Sequence, residues 1–438
     1  MDHAPSPEDA AARLLDRLSG TRRLLVAVSG GSDSTGLLIA LDRAMTSLRL
    51  PHSLIAATVD HRLRPESTAE AEAVATLCAS LGVPHRILAW TGPKPETGIS
   101  AAARDARYRL LSHAAAEVGT DLIVTGHTLD DQEETIAMRA ARAAGENLGL
   151  AGMAEATLHD RRFWLLRPFL EIRRQDIRDY LRRLGTGWID DPSNEDRKYE
   201  RVRVRHDREA MDTQSIRSAG TDRTALSRQA AALLQAHATG YASLAVRVAP
   251  EALDLRSPAL LHALSTLCAV VGGRSHRPGR DSMDRLASFL ASGRQGRITL
   301  SRALVERHRD GLFLMRESRD ILPLEIPPGD WAEWDGRFRI TNRGPETAFV
   351  TAGRMTPPMH GPQFLPDGLV RHLNRIGPSA ALGKASVMPA AAPAGSVEIE
   401  PSLPLFDRFL PAFDLDLANA IARLMGRKDY CPLPFNPY

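Results

Sequence analysis

The first third of the 438-residue chain alternates short apolar runs with longer segments of helical spacing. The apolar runs are LLVAV from Leu24, SLIAATV from Ser53, HRILAW from His85 and DLIVTG from Asp121. Short continuous runs of this kind are typical of strands that are buried on both faces. Strands that alternate with helices predict βαβ units, and hence an α/β fold with a doubly wound, mainly parallel sheet.

The rest of the chain has a different composition, and the change follows Asp207. Two segments are predicted to be helical, SIRSAGTDRTALSRQAAALLQAHATGYASLA from Ser215 and the segment from Leu255 to Leu290. The sequence GRITLSRALVERHRDGLFLMRE from Gly296 then predicts a hairpin that turns at Arg309, Asp310 and Gly311. The stretch Gly377–Ser396 is rich in Ala, Pro and Gly without periodicity and predicts a linker. We therefore predict an α/β domain over residues 1–210, a helical domain over 211–295 and a smaller mixed α/β domain over 296–438.

Composition limits the class of protein. With 43% hydrophobic residues the chain can build real cores. Cys78, Cys268 and Cys431 lie far apart, which excludes a disulfide framework and an iron–sulfur site made of clustered cysteines. The N-terminus lacks the apolar core of a secretory signal, and the longest mostly apolar run, from Ala259, is too short to span a bilayer. We expect a cytoplasmic protein away from the membrane, with a homodimer left open.

The sequence SGGSDS, residues Ser29–Ser34, separates the first apolar run from a helix-like segment. Adjacent Gly30 and Gly31 let the backbone approach a ligand closely, and the N–H groups of the following helical turn then point at that ligand. The hydroxyls of Ser29, Ser32 and Ser34 add donors, so the loop predicts a cradle for an anion such as pyrophosphate. Asp33 would repel phosphate unless a divalent cation lay between them, and Mg²⁺ favours carboxylate and phosphate oxygens.

Two other glycine-containing loop types do not fit this sequence, and a third remains possible. A Walker-type phosphate loop needs a lysine that is absent here, and a nucleophile elbow needs GxSxG spacing. A glycine turn with a capping serine and no ligand remains open from the loop alone.

A second polar constellation, GHTLDDQEET, follows the run DLIVT at another predicted strand end. Asp130 and Asp131 would open a helix, where the macrodipole favours negative charge, and Glu134 would share one side of that helix with them. We predict that these acids hold Mg²⁺ or a cationic substrate, and that His127 stabilises charge on a phosphate. An acid-capped helix with solvated carboxylates is the alternative.

Arginines form two further features. The helical segment ARDARYRLL places Arg104 and Arg107 on one face, and Arg104 is predicted to point towards phosphate or a target base, a solvated basic face being the alternative. Between Arg161 and Arg208, basic residues outnumber acidic ones by more than the +3 net charge of the whole chain. Such an excess favours a polyanionic partner, although part of it could be a solvated helix surface. The predicted nucleic-acid-binding residues are Arg197, Lys198, Arg201, Arg203 and Arg205.

Taken in order, these motifs resemble the tRNA(Ile)-lysidine synthetases, a family of the PP-loop ATP-pyrophosphatase superfamily. The motifs are SGGSDS, VDHRLRPES, AAARDARYRLL, TGHTLDDQEETIAMR, GLAGM, LLRPFL and WIDDPSNEDRKYERVRVRH. The resemblance covers residues up to Asp207 and is loose beyond that point. One departure is Val202, which stands where the family usually has an asparagine, although the basic charge of that element is kept.

The resemblance implies ligation of free L-lysine to the wobble cytidine of the isoleucine tRNA with a CAU anticodon. The cytidine 2-carbonyl oxygen would attack the α-phosphate of ATP, and the lysine ε-amine would then expel AMP. By the same resemblance the ATP site comprises Ser29–Ser34 with the backbone of Asp60 and His61. The implied catalytic residues are Asp33, Arg104, His127, Asp130, Asp131 and Glu134, with Mg²⁺ on Asp33 and on Asp130 or Asp131.

Three other functions remain open at this stage. A tRNA thiolase on the same fold would need nucleophilic cysteines or an iron–sulfur cluster, which the isolated cysteines disfavour. A nucleotide-gated RNA-binding protein without chemistry would better suit a chain that lacks the His127 constellation. An amidotransferase-coupled ligase, such as an NAD or GMP synthetase, would leave the basic segment unexplained.

Overall fold

The computed structural model of the chain describes residues 5–142, 150–190, 213–353, 365–383, 390–393 and 395–435. It divides into two compact units, Met1–Asp222 with Cys431–Tyr438 and Arg223–Tyr430. This division into two units is coarser than the predicted division into three domains, which stays a prediction. In the parts of the chain that are described, no helix has both the length and the apolarity needed to cross a bilayer.

The first unit contains one extended sheet with helices. Its strands are β1 (Arg23–Ala27), β2 (Ser53–Asp60), β3 (His85–Ala89), β4 (Leu122–Thr125), β5 (Ala156–His159) and β6 (Phe163–Leu166). Its helices are α1 (Pro7–Arg17), α2 (Ser32–Leu48), α3 (Ser67–Ser80), α4 (Ile99–Glu117), α5 (Leu129–Arg142) and α6 (Arg174–Arg183), and α7 (Thr213–His237) begins there. The order across these strands is β5-β6-β4-β1-β2-β3. All neighbours pair in parallel except β5 and β6, so the predicted doubly wound, mainly parallel sheet is confirmed.

Burial explains why the apolar runs became strands. The side chains of β4 are all buried, as are Leu24, Leu25 and Val26 of β1, because helices cover both faces of a parallel sheet. The four strands predicted from the sequence all form, within one or two residues of the predicted ends. Strands β5 and β6 form in addition to the predicted ones.

The order of the strands creates the crevice where a ligand fits. Strand β1 has β2 on one side and β4 on the other, so the chain leaves β1 in opposite directions along the sheet. At such a switch point the loops after the two strands diverge and leave room between them. The segment from Ser29 follows β1 and the segment from Gly126 follows β4, so both lie at this crevice.

The last residues of the chain pack within the first unit. The buried indole of Trp164 donates a hydrogen bond to the carbonyl oxygen of Pro432 at 3.0 Å. Phe435 forms an isolated antiparallel bridge with Leu18, and the Arg17 guanidinium lies 4.3 Å from the Phe435 ring centre. The C-terminal segment is therefore part of this unit's core although it is remote in sequence.

In its described residues the second unit forms three antiparallel sheets. Its strands are β7 (Ala238–Tyr241), β8 (Ala245–Val248), β9 (Gly296–Leu300), β10 (Ala303–His308), β11 (Gly311–Arg316), β12 (Leu324–Ile326), β13 (Trp331–Trp334), β14 (Phe338–Asn342), β15 (Ala348–Gly353), β16 (Gly377–Leu382), β17 (Ala390–Ala391), β18 (Val397–Pro401) and β19 (Phe409–Pro411). The sheets run in the orders β7-β8-β11-β10-β9, β12-β15-β16-β17 and β13-β14-β18. Helices α8 (Pro258–Val271), α9 (Arg280–Ala291), α10 (Asp367–Ile376) and α11 (Leu415–Leu424) complete the unit.

Three predictions for this half need correction. The segment expected to be helical from Ser215 onwards stops being a helix at His237 and continues as β7. The predicted hairpin forms between β10 and β11 with its turn at the predicted place, but β9 extends it to a three-stranded meander with an additional turn at Ser301 and Arg302, both at positive φ. Within the predicted linker, Gly377–Leu382 forms β16, because the adjacent β15 satisfies its backbone hydrogen bonds. A partner strand distant in the chain leaves no periodic signal in the segment itself.

A buried group of charges holds two of these sheets to one another. We call it the arginine cluster, and it consists of Arg302, Arg316 and Arg337 around Asp335. Arg316 donates from Nε at 3.1 Å and Arg337 donates from Nε at 2.6 Å to the same carboxylate oxygen. The side chains of Arg316 and Asp335 are each only 1% exposed, so this ion pair is dry.

Candidate active site

A cavity of about 300 Å³ lies at the carboxyl ends of β1 and β4. The loop after β1 and the loop after β4 both line it, together with parts of α4, α6 and the segment after α6. The lining side chains and backbone include Ser29, Gly31, Ser32, Asp33, Ser34, Arg107, Tyr108, Thr125, Gly126, His127, Asp131, Arg174, Arg178 and Ile189. The two constellations picked out in the sequence therefore meet in one cavity.

The loop after β1 presents the start of α2 to this cavity. No side chain caps that helix, whose N-cap is Gly31, so its first turn offers backbone N–H groups to an anion. The loop's own hydroxyls fix its shape, since Ser34 Oγ accepts from the Ser29 N–H at 3.0 Å and donates to the Gly31 carbonyl at 3.2 Å. The Ser29 and Ser34 hydroxyl oxygens are also 3.1 Å apart.

Two glycines are required by close approaches at the cavity. Gly30 has φ +87°, and a Cβ there would lie 2.7 Å from Ile189 Cδ1. The Ile189 N–H donates to the Gly30 carbonyl at 2.9 Å, which fixes the segment after α6 over the loop. A Cβ on Gly126 would lie 2.8 Å from the Asp33 carbonyl oxygen, so only glycine lets the end of β4 meet the start of α2.

Two carboxylates, Asp33 and Asp131, share one guanidinium at the edge of the cavity, and we call them the acid pair. Arg174 donates from Nε to Asp33 Oδ2 at 2.8 Å and from Nη2 to Asp131 Oδ1 at 3.4 Å. The acids come from the first turns of α2 and α5, where the helix macrodipole favours negative charge. All three side chains are about one-fifth exposed, so the group opens to solvent through the cavity.

The other oxygen of each acid is held by a nearby hydroxyl. Asp33 Oδ1 accepts from the Ser32 hydroxyl at 2.9 Å. Asp131 Oδ2 accepts from the Thr128 N–H at 2.8 Å and from its hydroxyl at 2.9 Å, and Thr128 Oγ1 in return accepts from the Asp131 N–H at 3.4 Å, which makes a capping box for α5. Each acid thus keeps one oxygen anchored and presents the other to Arg174.

The environment shifts the pKa of these groups in different directions. Burial raises the pKa of Asp33 above its usual range, although Arg174 opposes the shift. Burial acts the same way on Asp131, but its neighbours His127 and Arg174 and its bonds from Thr128 outweigh it, and the pKa of Asp131 is lowered. Although burial alone would lower the pKa of Arg174, Asp33 and Asp131 raise it, so the guanidinium stays charged.

His127 lines the cavity as a neutral imidazole. Its Nδ1 lies 2.9 Å from the Thr125 hydroxyl oxygen. Burial, with the nearby positive charge of Arg167, lowers the pKa of His127 to about 3, and Arg104 and Arg107 act in the same direction. At neutral pH this residue offers a hydrogen bond and not a positive charge.

Helix α4 contributes through Arg107 and Tyr108, which both line the cavity. Arg104 is exposed, does not line the cavity, and lies over the Tyr108 ring with its guanidinium carbon 5.1 Å from the ring centre. The buried Arg167 donates to the Ala154 carbonyl and to the Thr157 hydroxyl, both at 2.9 Å. This part of the cavity is accordingly positive.

The remaining predicted residues lie beside the cavity rather than in its lining. The Asp60 carboxylate is buried and accepts from the Ser67 and Thr68 hydroxyls, which fixes the start of α3. Burial and Arg107 lower the pKa of His61, which packs edge-on against Trp90, to about 4. Asp130 accepts from the Arg174 N–H at 2.8 Å.

Glu134 and the five basic residues predicted to bind nucleic acid are the last of the predicted site residues. Glu134 is buried on α5, at 1% exposure. Arg197, Lys198, Arg201, Arg203 and Arg205 lie outside the described residues. Across the described parts of the chain, no group of three or more His, Cys, Asp or Glu side chains is arranged to hold a metal ion by itself.

Arg174 is not among the predicted site residues, because the charges of its segment, Arg173–Arg183, alternate and are also compatible with a solvated helix surface. Arg174 is the first residue of α6, after β6, and β6 is the parallel neighbour of β4. The rule that selected Ser29 and His127, a polar residue beyond the carboxyl end of a parallel strand, would also have selected this region if β6 had been recognised.

The chain is similar to known proteins of one family. A family model described as a PP-loop domain matches residues 6–208. The tRNA(Ile)-lysidine synthase of Rhizobium meliloti strain 1021 is 43% identical over 97% of this chain and 96% of its own length. The enzyme of the same name from Mesorhizobium japonicum is 40% identical over 98% and 97%, and that from Brucella anthropi is 39% identical over 93% and 94%.

Proposed function

Because the chain belongs to the tRNA(Ile)-lysidine synthase family, we propose that its cavity ligates free lysine to the wobble cytidine of the isoleucine tRNA with a CAU anticodon. ATP supplies the energy and is split to AMP and pyrophosphate. One observation carries the proposal: the uncapped start of α2 shares a single cavity with His127 and the acid pair. A phosphate cradle, a hydrogen-bonding imidazole and carboxylates for an amine are the parts that this reaction needs.

In the first half-reaction the chain positions ATP and lets a base attack it. The N–H groups at the start of α2, with the hydroxyl of Ser29, would bind the β- and γ-phosphates, while the Ser32 hydroxyl stays on Asp33. The cytidine 2-carbonyl oxygen forms a bond to the α-phosphorus, the bond from that phosphorus to the bridging oxygen breaks, and pyrophosphate leaves. Neutral His127 would hydrogen-bond a phosphate oxygen whose charge grows in this step, and Arg107 would add positive charge.

The residues at the phosphate end of the cavity suit Mg²⁺. This ion prefers one or two carboxylates together with phosphate oxygens, and it does not need an all-protein cage. Asp33 and Asp131 each present one carboxylate oxygen to the same cation, Arg174, so a cation of another kind finds the same two oxygens. When bound there, Mg²⁺ would neutralise charge on the phosphates. Asp130 is occupied by the Arg174 N–H and is the weaker candidate.

In the second half-reaction the lysine ε-amine attacks the adenylated cytidine. A carbon–nitrogen bond forms at the ring carbon, the bond from that carbon to the AMP oxygen breaks, and the amine gives up a proton. Asp131 stays ionised at neutral pH and lines the cavity, so once Mg²⁺ had left with pyrophosphate its free oxygen would bind the lysine ammonium group. Asp130 and Glu134, on the same helix, would assist in orienting the amine and in removing its proton.

The tRNA must present its wobble base unstacked, as single-stranded loops do. We assign the phosphate contacts that hold this loop to Arg197, Lys198, Arg201, Arg203 and Arg205, and Arg104 to the edge of the target base. Phosphate contacts through arginine and lysine release counterions, so tRNA affinity should fall with rising salt concentration.

The test is a product assay with the full-length protein, ATP, labelled lysine and two transcripts of the isoleucine tRNA that differ only in the anticodon. We expect label to enter the CAU transcript alone, with one AMP and one pyrophosphate formed per lysine incorporated. Label in both transcripts would overturn the assignment of the substrate. Incorporation accompanied by ADP and phosphate would overturn the role of the α2 start as a pyrophosphate site.

A further inference from the structure

Arg174 connects three helices at the edge of the cavity. Its side chain bonds Asp33 at the start of α2 and Asp131 at the start of α5, while its own backbone N–H donates to Asp130. It is itself the first residue of α6. A single residue therefore fixes the relative placement of the helix starts that supply the acid pair.

The acid pair is arranged so that the cation it holds can be exchanged. Each carboxylate has one oxygen anchored by Ser32 or Thr128, and this anchoring does not depend on Arg174. The two remaining oxygens face the guanidinium, which is 21% exposed and reaches them from the cavity side. Because these oxygens have one cation-binding position between them, a guanidinium and a divalent cation compete for it.

We propose that Arg174 is a positioning residue, the built-in counter-ion of the acid pair, which holds the two carboxylates before the nucleotide binds and gives them up to the metal that enters with ATP. The inference rests on the magnesium role proposed above for Asp33 and Asp131. Without a cation between them, two carboxylates at this distance from one guanidinium would repel one another and separate. Once released, the guanidinium remains in a cavity where the incoming phosphates are the nearest anions.

The experiment measures metal binding by the protein before any nucleotide is added. Mn²⁺, which replaces Mg²⁺ and is detectable by electron paramagnetic resonance, is titrated into the full-length wild type and into Arg174→Gln. Removal of the competing guanidinium should tighten Mn²⁺ binding about tenfold, because the metal no longer has to break two charge-assisted hydrogen bonds. Arg174→Lys, which keeps a charge, should show a smaller gain and serves if Arg174→Gln folds poorly.

The matched control is Arg178→Gln. Arg178 lies on the same helix and lines the same cavity, but it pairs with Asp190 at 3.1 Å and not with the acid pair. Its removal changes the charge of the cavity equally, so an effect of general electrostatics would appear in both variants. We expect its Mn²⁺ affinity to stay within twofold of the wild type.

The remaining outcomes distinguish a failure of the counter-ion role from a failure of the proposed metal site. Equal or weaker Mn²⁺ binding in Arg174→Gln than in the wild type overturns the counter-ion role. If the wild type nevertheless binds Mn²⁺ with ATP, and Asp33→Asn abolishes this, the proposed function stands. If the wild type binds no Mn²⁺ even with ATP, the metal role in the proposed function fails instead.

Discussion

The acid pair in the first unit and the arginine cluster in the second are built from the same two residue types in opposite ratios. The acid pair has two carboxylates for one guanidinium, is partly exposed, and lines a cavity. The arginine cluster has three guanidiniums for one carboxylate; Asp335, Arg316 and Arg337 are at most 3% exposed, and only Arg302 reaches solvent. An open group in which two carboxylates share one cation can exchange that cation, whereas a buried carboxylate that serves several cations can only hold strands together. Similar ion pairs therefore have different roles, and accessibility distinguishes them.

The strongest test of this contrast removes the shared carboxylate of the arginine cluster. Asp335→Asn leaves several buried guanidiniums without a counter-charge, and an uncompensated buried charge costs about 3–5 kcal/mol. We expect the second unit to lose this much unfolding free energy in urea denaturation followed by tryptophan fluorescence. Trp334 reports on the site, since the Arg337 guanidinium lies 5.5 Å from its ring centre.

Asp310→Asn is the control for that measurement. Asp310 is exposed in the turn between β10 and β11, so its change should stay within about 0.5 kcal/mol. If Asp335→Asn were as mild as this control, the cluster would not hold the sheets together.

Neutralising one carboxylate of the acid pair should lower the catalytic rate and leave the stability of the protein nearly unchanged. Asp33→Asn keeps the shape of the side chain but removes its charge, and we expect lysidine formation to fall about 10²- to 10³-fold, the usual effect of removing one preorganised electrostatic contact. Steady-state assays with labelled lysine measure this, and thermal denaturation should show only a small shift. Asp42→Asn, on the same helix and half-buried away from the cavity, should retain wild-type turnover. Retention of more than half the activity by Asp33→Asn would contradict the assignment.

Lowering the pH should destabilise the second unit through His262, and this effect should be smaller than the two above. Burial lowers the pKa of His262, in the second unit, to about 3 from an ordinary value of 6.5. Between these values the unfolded chain binds a proton that the folded chain does not, so this stability is complete above pH 6.5 and is lost as the pH falls. The unfolding free energy of the wild type should therefore decrease between pH 7 and pH 5. In His262→Gln this decrease should be about 2 kcal/mol smaller, as measured by urea denaturation at each pH.

His127 provides the comparison, because its pKa is also about 3 but it lines the cavity. Pyrophosphate bound at the start of α2 should raise the pKa of His127 and leave that of His262 unchanged in an NMR titration. A shift of both histidines would mean that the anion acts on the whole protein, and a shift of neither would place its site elsewhere.

Much of the first unit was predictable because its signals are local. The runs from Leu24, Ser53 and Asp121 are largely buried, so their apolar character identifies them as strands without knowledge of their neighbours. The run from His85 is the edge strand β3, which is half-buried or exposed, and it was predicted from its composition alone. The loop at Ser29 and the acids at Asp131 follow such runs, and the geometry of parallel sheets brings them to one edge. The order of the motifs then led to the family.

Tertiary structure decided what depends on a distant partner. Arg174 is near neither Asp33 nor Asp131 in sequence, and only the folding of α2, α5 and α6 around one cavity brings them together. Strand β16 forms because β15 lies beside it, and His127 is neutral because burial and arginines from other elements surround it. The sequence by itself determined the sheet, its loops and the chemistry available at their ends. Which charges meet, and whether water reaches them, was settled by packing, because electrostatic energies depend on distance and burial that no local pattern encodes.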